Sequence, residues 1–173
     1  GLNVGCTTPV NIRQHFDRPI GDDIGLFIAN AAHYQLVDDR WPLWQAVQNI
    51  KVSLDNEIYS GRYIESGRGV GEMLKKVSTP LDVVNAIDKV MPPVAVTNMG
   101  KLDVPEQFGD LNLENIHFAV SINIAATSGL ALAVTTFRGV VTLNFLYLDP
   151  YLSPEKANII VDGVMNRLEN AVD

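Results

Sequence analysis

One cysteine, three histidines and two tryptophans are all that the 173 residues contain of those types. The single Cys6 cannot close an internal disulfide, so a reducing, cytoplasmic setting is expected. It also removes the zinc patterns built on cysteine pairs. Cys6 sits in a strand-like opening segment and reads as a small buried hydrophobe, not as a nucleophile. The histidines are His15, His33 and His117, and no two of them have metal-ligand spacing. No metal site is expected. No serine stands in a Gly-x-Ser-x-Gly elbow. Basic residues are scarce: 13 Lys and Arg face 20 Asp and Glu. No dense basic stripe appears, which argues against a nucleic-acid partner. Charged residues make up 19% and apolar ones 47%, the balance of a globular chain able to bury a core. The chain opens at Gly1 with no basic, apolar leader, a start expected of one piece of a longer protein.

Residues 115–137 carry no formal charge, yet a membrane span is not expected. His117, Ser121, Asn123, Thr127 and Ser128 interrupt the run, and a spanning helix wants about 20 mostly apolar residues. Phe118, Val120, Ile122 and Ile124 alternate with His117, Ala119, Ser121 and Asn123, a period of two. This predicts a strand, then a turn near 126–129, a second strand from Leu130, a tight Arg138-Gly139 connection and a third strand to Leu148. The expectation is a three-stranded antiparallel meander.

Helices are signalled by spacing and punctuation. Leu43, Trp44, Val47, Ile50, Leu54 and Ile58 recur at helical intervals between Pro42 and Gly61. A short helix is expected over 70–77. Thr79-Pro80-Leu81-Asp82 has the form of a helix start, and that helix must end before Pro92-Pro93. Val94 to Asn98 reads as a buried strand. Ser153-Pro154-Glu155 opens a last helix with the stripe Ile160, Val161, Val164, Met165, Leu168 and Val172. DDIGLFIANA, residues 22–31, reads as a buried strand in which Gly25 allows close packing. The fold class is therefore α+β: a two-layer sandwich with a mixed, largely antiparallel sheet of about six strands, helices on one face, in a single domain over 1–173.

Other polar features have plain readings. His15 lies in a polar loop and is expected to be exposed. The pairs Asp22-Asp23 and Asp38-Asp39 read as solvated turn residues, since a two-carboxylate hydrolase needs both groups facing one cleft. The glycine cluster SGRGVG, 66–71, lacks a preceding strand and the dinucleotide spacing, so a flexible hinge loop is expected in place of a phosphate site.

Several phrases in order carry a resemblance. They are Pro9-Val10-Asn11-Ile12-Arg13, then Gly25-Leu26-Phe27-Ile28-Ala29-Asn30, then Thr97-Asn98-Met99-Gly100, then residues 135–168. Together they resemble the C-terminal lobe of chloramphenicol-acetyltransferase-like acyltransferases: condensation domains, alcohol acetyltransferases and polyketide-associated acyltransferases. The resemblance implies two similar lobes flanking a channel. It also implies an acyl-CoA or acyl-carrier thioester as co-substrate, with no cofactor bound by this chain, and a small alcohol or amine as acceptor. The catalytic His-His-x-x-x-Asp-Gly motif of that family lies in the first lobe and is absent here, so no catalytic residue is expected in this chain and the fragment alone is expected to be inactive. An N-terminal lobe is the implied partner, and an unpaired lobe is expected to self-associate. Asn30, His33, Tyr34, Asn98, His117 and Asn123 are candidate channel or acceptor-pocket residues. Arg13, Gly25 and Gly100 are structural parts of the signature. Condensation domains often carry an arginine ten residues after the isoleucine of the Ile-Gly-x-Phe phrase; counting from Ile24 gives Tyr34. That departure points toward the alcohol or polyketide branches, or toward a non-catalytic binding or assembly module of the same fold.

Overall fold

The computed structural model describes residues 1–38, 40–88, 92–122 and 129–171. It is an α+β two-layer structure with a five-stranded mixed sheet. Strand β1 (Leu2–Asn11) pairs antiparallel with β2 (Ile28–Val37) along its whole length. Helices α1 (Leu43–Tyr59), α2 (Arg62–Leu74) and α3 (Pro80–Asp88) follow. Strand β3 (Val94–Lys101) runs parallel to β1 and to β6 (Leu130–Phe137), and β6 pairs antiparallel with β7 (Val140–Tyr147). The sheet order is β2-β1-β3-β6-β7, and a separate short hairpin joins β4 (Gln107–Phe108) to β5 (Leu111–Asn112). Helix α4 (Pro154–Glu169) ends the chain's regular structure. Antiparallel pairs are the long ones; β1 and β3 meet only at Cys6–Val94 and Thr7–Ala95. Beyond Thr7 the β1–β2 hairpin runs on as a two-stranded ribbon. This is where Pro9, which has no N–H to give, is accommodated.

Strand alternation assigns the faces. On β2, Ala29, Ala31 and His33 are buried beneath the helices, while Asn30, Tyr34 and Leu36 point the other way and are exposed. Ala29, Ala31 and Tyr63 form the core of the helix side, packed with Val10, Ile12, Leu54, Ile58 and Ile64. Burying a ring the size of Tyr63 contributes about 2 kcal/mol. Gly61, in the left-handed region, makes the corner between α1 and α2.

The helix starts follow the sequence closely. At α3 the Thr79 N–H and hydroxyl both donate to Asp82, 3.1 and 2.8 Å, and the Asp82 N–H donates back to Thr79 Oγ1, 3.2 Å. Ser153 caps α4 by accepting from the Lys156 N–H. Asp38 stands at a turn and accepts from the backbone and guanidinium of Arg40, but its side chain is only 12% exposed and so is not solvated; Asp39 lies outside the described residues.

Three expectations are corrected. Residues 22–27 are not strand: β2 begins at Ile28, and Ile24 and Leu26 are almost wholly exposed. The reason is that β1 has ended. The Ile12 N–H donates to the Phe27 carbonyl, 2.9 Å, and the chain then coils into a short 3-10 turn (Arg13–His15), leaving no partner strand. The glycine cluster at 66–71 lies inside α2, not in a loop. Packing overrides propensity there: Tyr63 is buried, and a Cβ on Gly67 would just meet the Ala29 side chain at 3.7 Å. The predicted meander has two strands. Residues 115–122 do not join the sheet, and the place beside β6 that a meander would give them is taken by β3. Their alternation is nevertheless real. Ile116, Phe118, Val120 and Ile122 are half-buried and the residues between them exposed. The segment lies against the sheet by side-chain bonds: Thr135 Oγ1 donates to the Ile116 carbonyl, 3.0 Å, and Thr142 Oγ1 to Asn115 Oδ1, 3.0 Å. Small residues Ala131, Ala133 and Thr135, fully buried, let it approach closely. Among the described residues, no helix is long and apolar enough to cross a membrane.

Candidate functional site

The signature residues form two local devices. In the first, Arg13 Nη2 donates to the Asp23 carbonyl, 3.2 Å, while the guanidinium lies 4.7 Å from the centre of the Phe27 ring. Phe27 in turn meets Phe16 edge-on at 5.7 Å. A side chain on residue 25 would place its Cβ 2.7 Å from that ring, so Gly25 is the space Phe27 occupies. Arg13, Gly25 and Phe27 thus fasten the 17–27 loop onto the end of β1. In the second device, Asn98 Oδ1 accepts from the Gly100 N–H, 2.8 Å, where β3 bulges away from β6. Gly100 has a φ of 70°, a conformation open to glycine at little cost. Asn98, a candidate channel residue, therefore has its side-chain oxygen committed to a turn of its own strand.

The remaining candidates do not converge on one place. Asn30 and Tyr34 share the helix-free face of β2. The Tyr34 ring lies over Gly5, where a Cβ would come within 2.6 Å of it. His33 points to the opposite face, at 6% exposure beneath α1, and its Nδ1 has no hydrogen-bond partner among the described residues. Burial lowers its pKa, with Glu57 on α1 pulling weakly the other way. His117 is exposed and its Nδ1 lies 3.0 Å from Asn144 Oδ1, one of the bonds that holds residues 115–122 on the β6–β7 face. Asn123 lies outside the described residues. Burial raises the Cys6 thiol above its ordinary value, as expected of a packed cysteine and not of a nucleophile. No group of three or more His, Cys, Asp or Glu side chains among the described residues could hold a metal.

One concave site was not foreseen. A cleft of about 740 Å³ opens between the loop after β1 and the first half of α2, over the start of β2. Ile12, Phe16, Ile28 and Ile64 supply apolar wall, and His15, Asp17, Glu65 and Arg68 supply polar groups. Its volume is within the range of small-molecule sites, and about half of it is open to solvent. His15, expected to be merely exposed, is held by a bond of 2.8 Å between its Nε2 and the hydroxyl of buried Tyr63, and the two rings meet edge-on. Asp17, Glu65 and Arg68 form no ion pair among the described residues. The only sequence hint was a tyrosine just past a helix-ending glycine; its partner stands 48 positions away. No family model matches the chain, and no curated protein is significantly similar to it.

Proposed function

We propose that the chain is the C-terminal lobe of a CoA- or carrier-thioester-dependent O- or N-acyltransferase, supplying a channel wall and part of the acceptor pocket but not the catalytic base. The observation that carries this reading is the helix-free face of the β1–β2 hairpin. Tyr34 and Leu36 are large, apolar and exposed there, with Asn30 beside them. A contiguous apolar face of this kind calls for a cover, and in the resembled enzymes a first lobe stands opposite the second. The interlock of Arg13, Gly25 and Phe27 also supports the reading, since it gives the first two resembling phrases a joint physical reason to occur together.

In this account the first lobe's histidine takes the proton from an acceptor hydroxyl or amine, which attacks the thioester carbonyl; the thiol leaves. This chain contributes orientation and exclusion of water. Tyr34, at the position where condensation domains often have arginine, favours an alcohol- or polyketide-type branch and keeps open a binding module without catalysis. The test is reconstitution. The chain alone should transfer no acyl group from any thioester, and addition of a cognate first lobe bearing His-His-x-x-x-Asp-Gly should restore transfer. Turnover by the chain alone defeats the reading, as does a reading frame with no such lobe upstream of Gly1.

A further inference from the structure

We propose that the free edge of β2 pairs antiparallel with the same edge of a second copy of this chain, joining the two sheets across a two-fold axis. The hydrogen-bond register shows which groups are available. The Ile12 N–H donates to the Phe27 carbonyl, so the β1–β2 ladder bonds at residues 29, 31, 33, 35 and 37 of β2. The N–H and carbonyl groups of Ile28, Asn30, Ala32, Tyr34 and Leu36 therefore face away from β1, and β2 ends the sheet order. Among the described residues, only the Leu36 carbonyl has a partner on that side, the side-chain amide of Gln35 at 3.1 Å. Edge strands are ordinarily guarded by charges, proline or bulges, and Ile28–Val37 contains no Asp, Glu, Lys, Arg, Pro or Gly. The register of the pairing follows. Outward groups bond only to outward groups, so even-numbered residues oppose even-numbered ones. Centring the axis on Ala32 uses all of them: Ile28 opposes Leu36, and Asn30 opposes Tyr34. The same parity keeps the helix-free faces continuous, so the exposed Tyr34 and Leu36 of both copies join one apolar surface. The area is available. The chain exposes 12145 Å², about 3,800 Å² more than a compact monomer of its mass, and a standard dimer needs only about 800 Å² from each copy. The opposite edge, β7, is two residues shorter, and its Thr142 and Asn144 are already engaged by Asn115 and His117. Pairing β2 with β7 would propagate without closing, whereas β2 on β2 closes at a dimer.

This inference does not rest on the acyltransferase reading, because it concerns the strand edge and is tested on this chain alone. Sedimentation over a concentration series should show a monomer–dimer equilibrium. Hydrogen exchange on ¹⁵N-labelled protein, dilute and concentrated, locates the contact: the amides of Asn30, Ala32, Tyr34 and Leu36 should become protected as the dimer forms. Asn30→Lys and Tyr34→Glu, both at exposed positions, should each weaken the dimer by about ten-fold, since every dimer carries the change twice. Combined in one chain they should restore it, because each new ammonium then faces a new carboxylate on the other copy. Unchanged thermal unfolding shows that the variants keep the fold. Four outcomes overturn the inference: a monomer at every concentration, assembly that runs on past a dimer, a dimer that leaves those four amides unprotected or protects Val141, Leu143 and Phe145 of β7 instead, or a double variant that dimerises no more tightly than the weaker single one.

Discussion

Replacing Arg13 by methionine keeps the aliphatic stem and removes the guanidinium. Two interactions are lost. One is the bond from Nη2 to the Asp23 carbonyl, worth about 1 kcal/mol. The other is the contact with the Phe27 ring, about 0.5–1 kcal/mol at a site this open. One gain opposes them: Arg13 Nε is buried without a partner among the described residues, and its desolvation cost disappears with it. The net expectation is a loss of about 1 kcal/mol, which for a chain of this length lowers the melting temperature by about 2–4 °C. The local effect should exceed the global one, because Arg13 is one of the few groups that hold residues 21–27, beside the Ile12–Phe27 backbone bond, the Phe16–Phe27 contact and the exposed Arg18–Asp23 pair. Urea unfolding reads the first, and hydrogen exchange at the amides of 21–27 reads the second. Arg13→Lys should fall between: it keeps the charge but cannot lie flat on Phe27 and reach Asp23 at once. If the methionine variant unfolds at the wild-type urea midpoint with unchanged exchange at 21–27, the interlock is not what fixes this loop.

Tyr63→Phe removes the hydroxyl bonded to His15 and should cost about 1 kcal/mol in urea unfolding, while moving the ring resonances of His15; resonances that stay put refute the bond. His33 gives a pH dependence of definite sign. Burial lowers its pKa in the folded state, so the unfolded chain binds the extra proton more readily; its share of stability is full above the ordinary histidine value of about 6.5 and is lost as pH falls below it. His33→Gln should flatten the fall in urea midpoint over that range. Thr135→Val leaves the Ile116 carbonyl without its donor and should cost about 1–2 kcal/mol, with faster proteolysis within residues 113–122 as the direct sign. Self-association through the Tyr34 face should appear in analytical ultracentrifugation and weaken in Tyr34→Lys, Leu36→Lys; a monodisperse monomer at high concentration refutes it.

What the sequence disclosed was mostly local. Thr79 and Asp82 meet three residues apart, and Ser153 caps a helix three residues upstream of the amide it satisfies, so both starts were legible. The α+β class, α1 and the last two sheet strands were legible for the same reason, through periodicity within a short window. The errors arose where a neighbour decided the outcome. Period two at 115–122 does mark a chain with one buried side, but whether that side lies on a sheet or within it depends on strands distant in sequence, here β3 beside β6. Glycines at 66–71 suggested a loop, and the buried Tyr63 and the small Ala29 beneath the helix outweighed them. Ile24 and Leu26 looked like core; only the coiling of the chain after Ile12 leaves them without a partner strand.

Alternation along β2 also divides its candidate residues. A strand sends successive side chains to opposite faces, so His33 and Tyr34 could never serve one pocket while both remain in the ladder with Cys6 and Gly5. A one-residue register slip would only exchange their faces, and would move Ala29 and Ala31 out of the core. Asn30 and Tyr34 are thus tied to whatever covers the helix-free face, and His33 to the packing of α1. Substitutions at Tyr34 should change association and leave the unfolding midpoint nearly fixed, whereas substitutions at His33 should do the reverse. A Tyr34→Ala variant that loses more than about 1 kcal/mol of stability as a monomer breaks that division, because a side chain more than half exposed has too little buried area to account for such a loss.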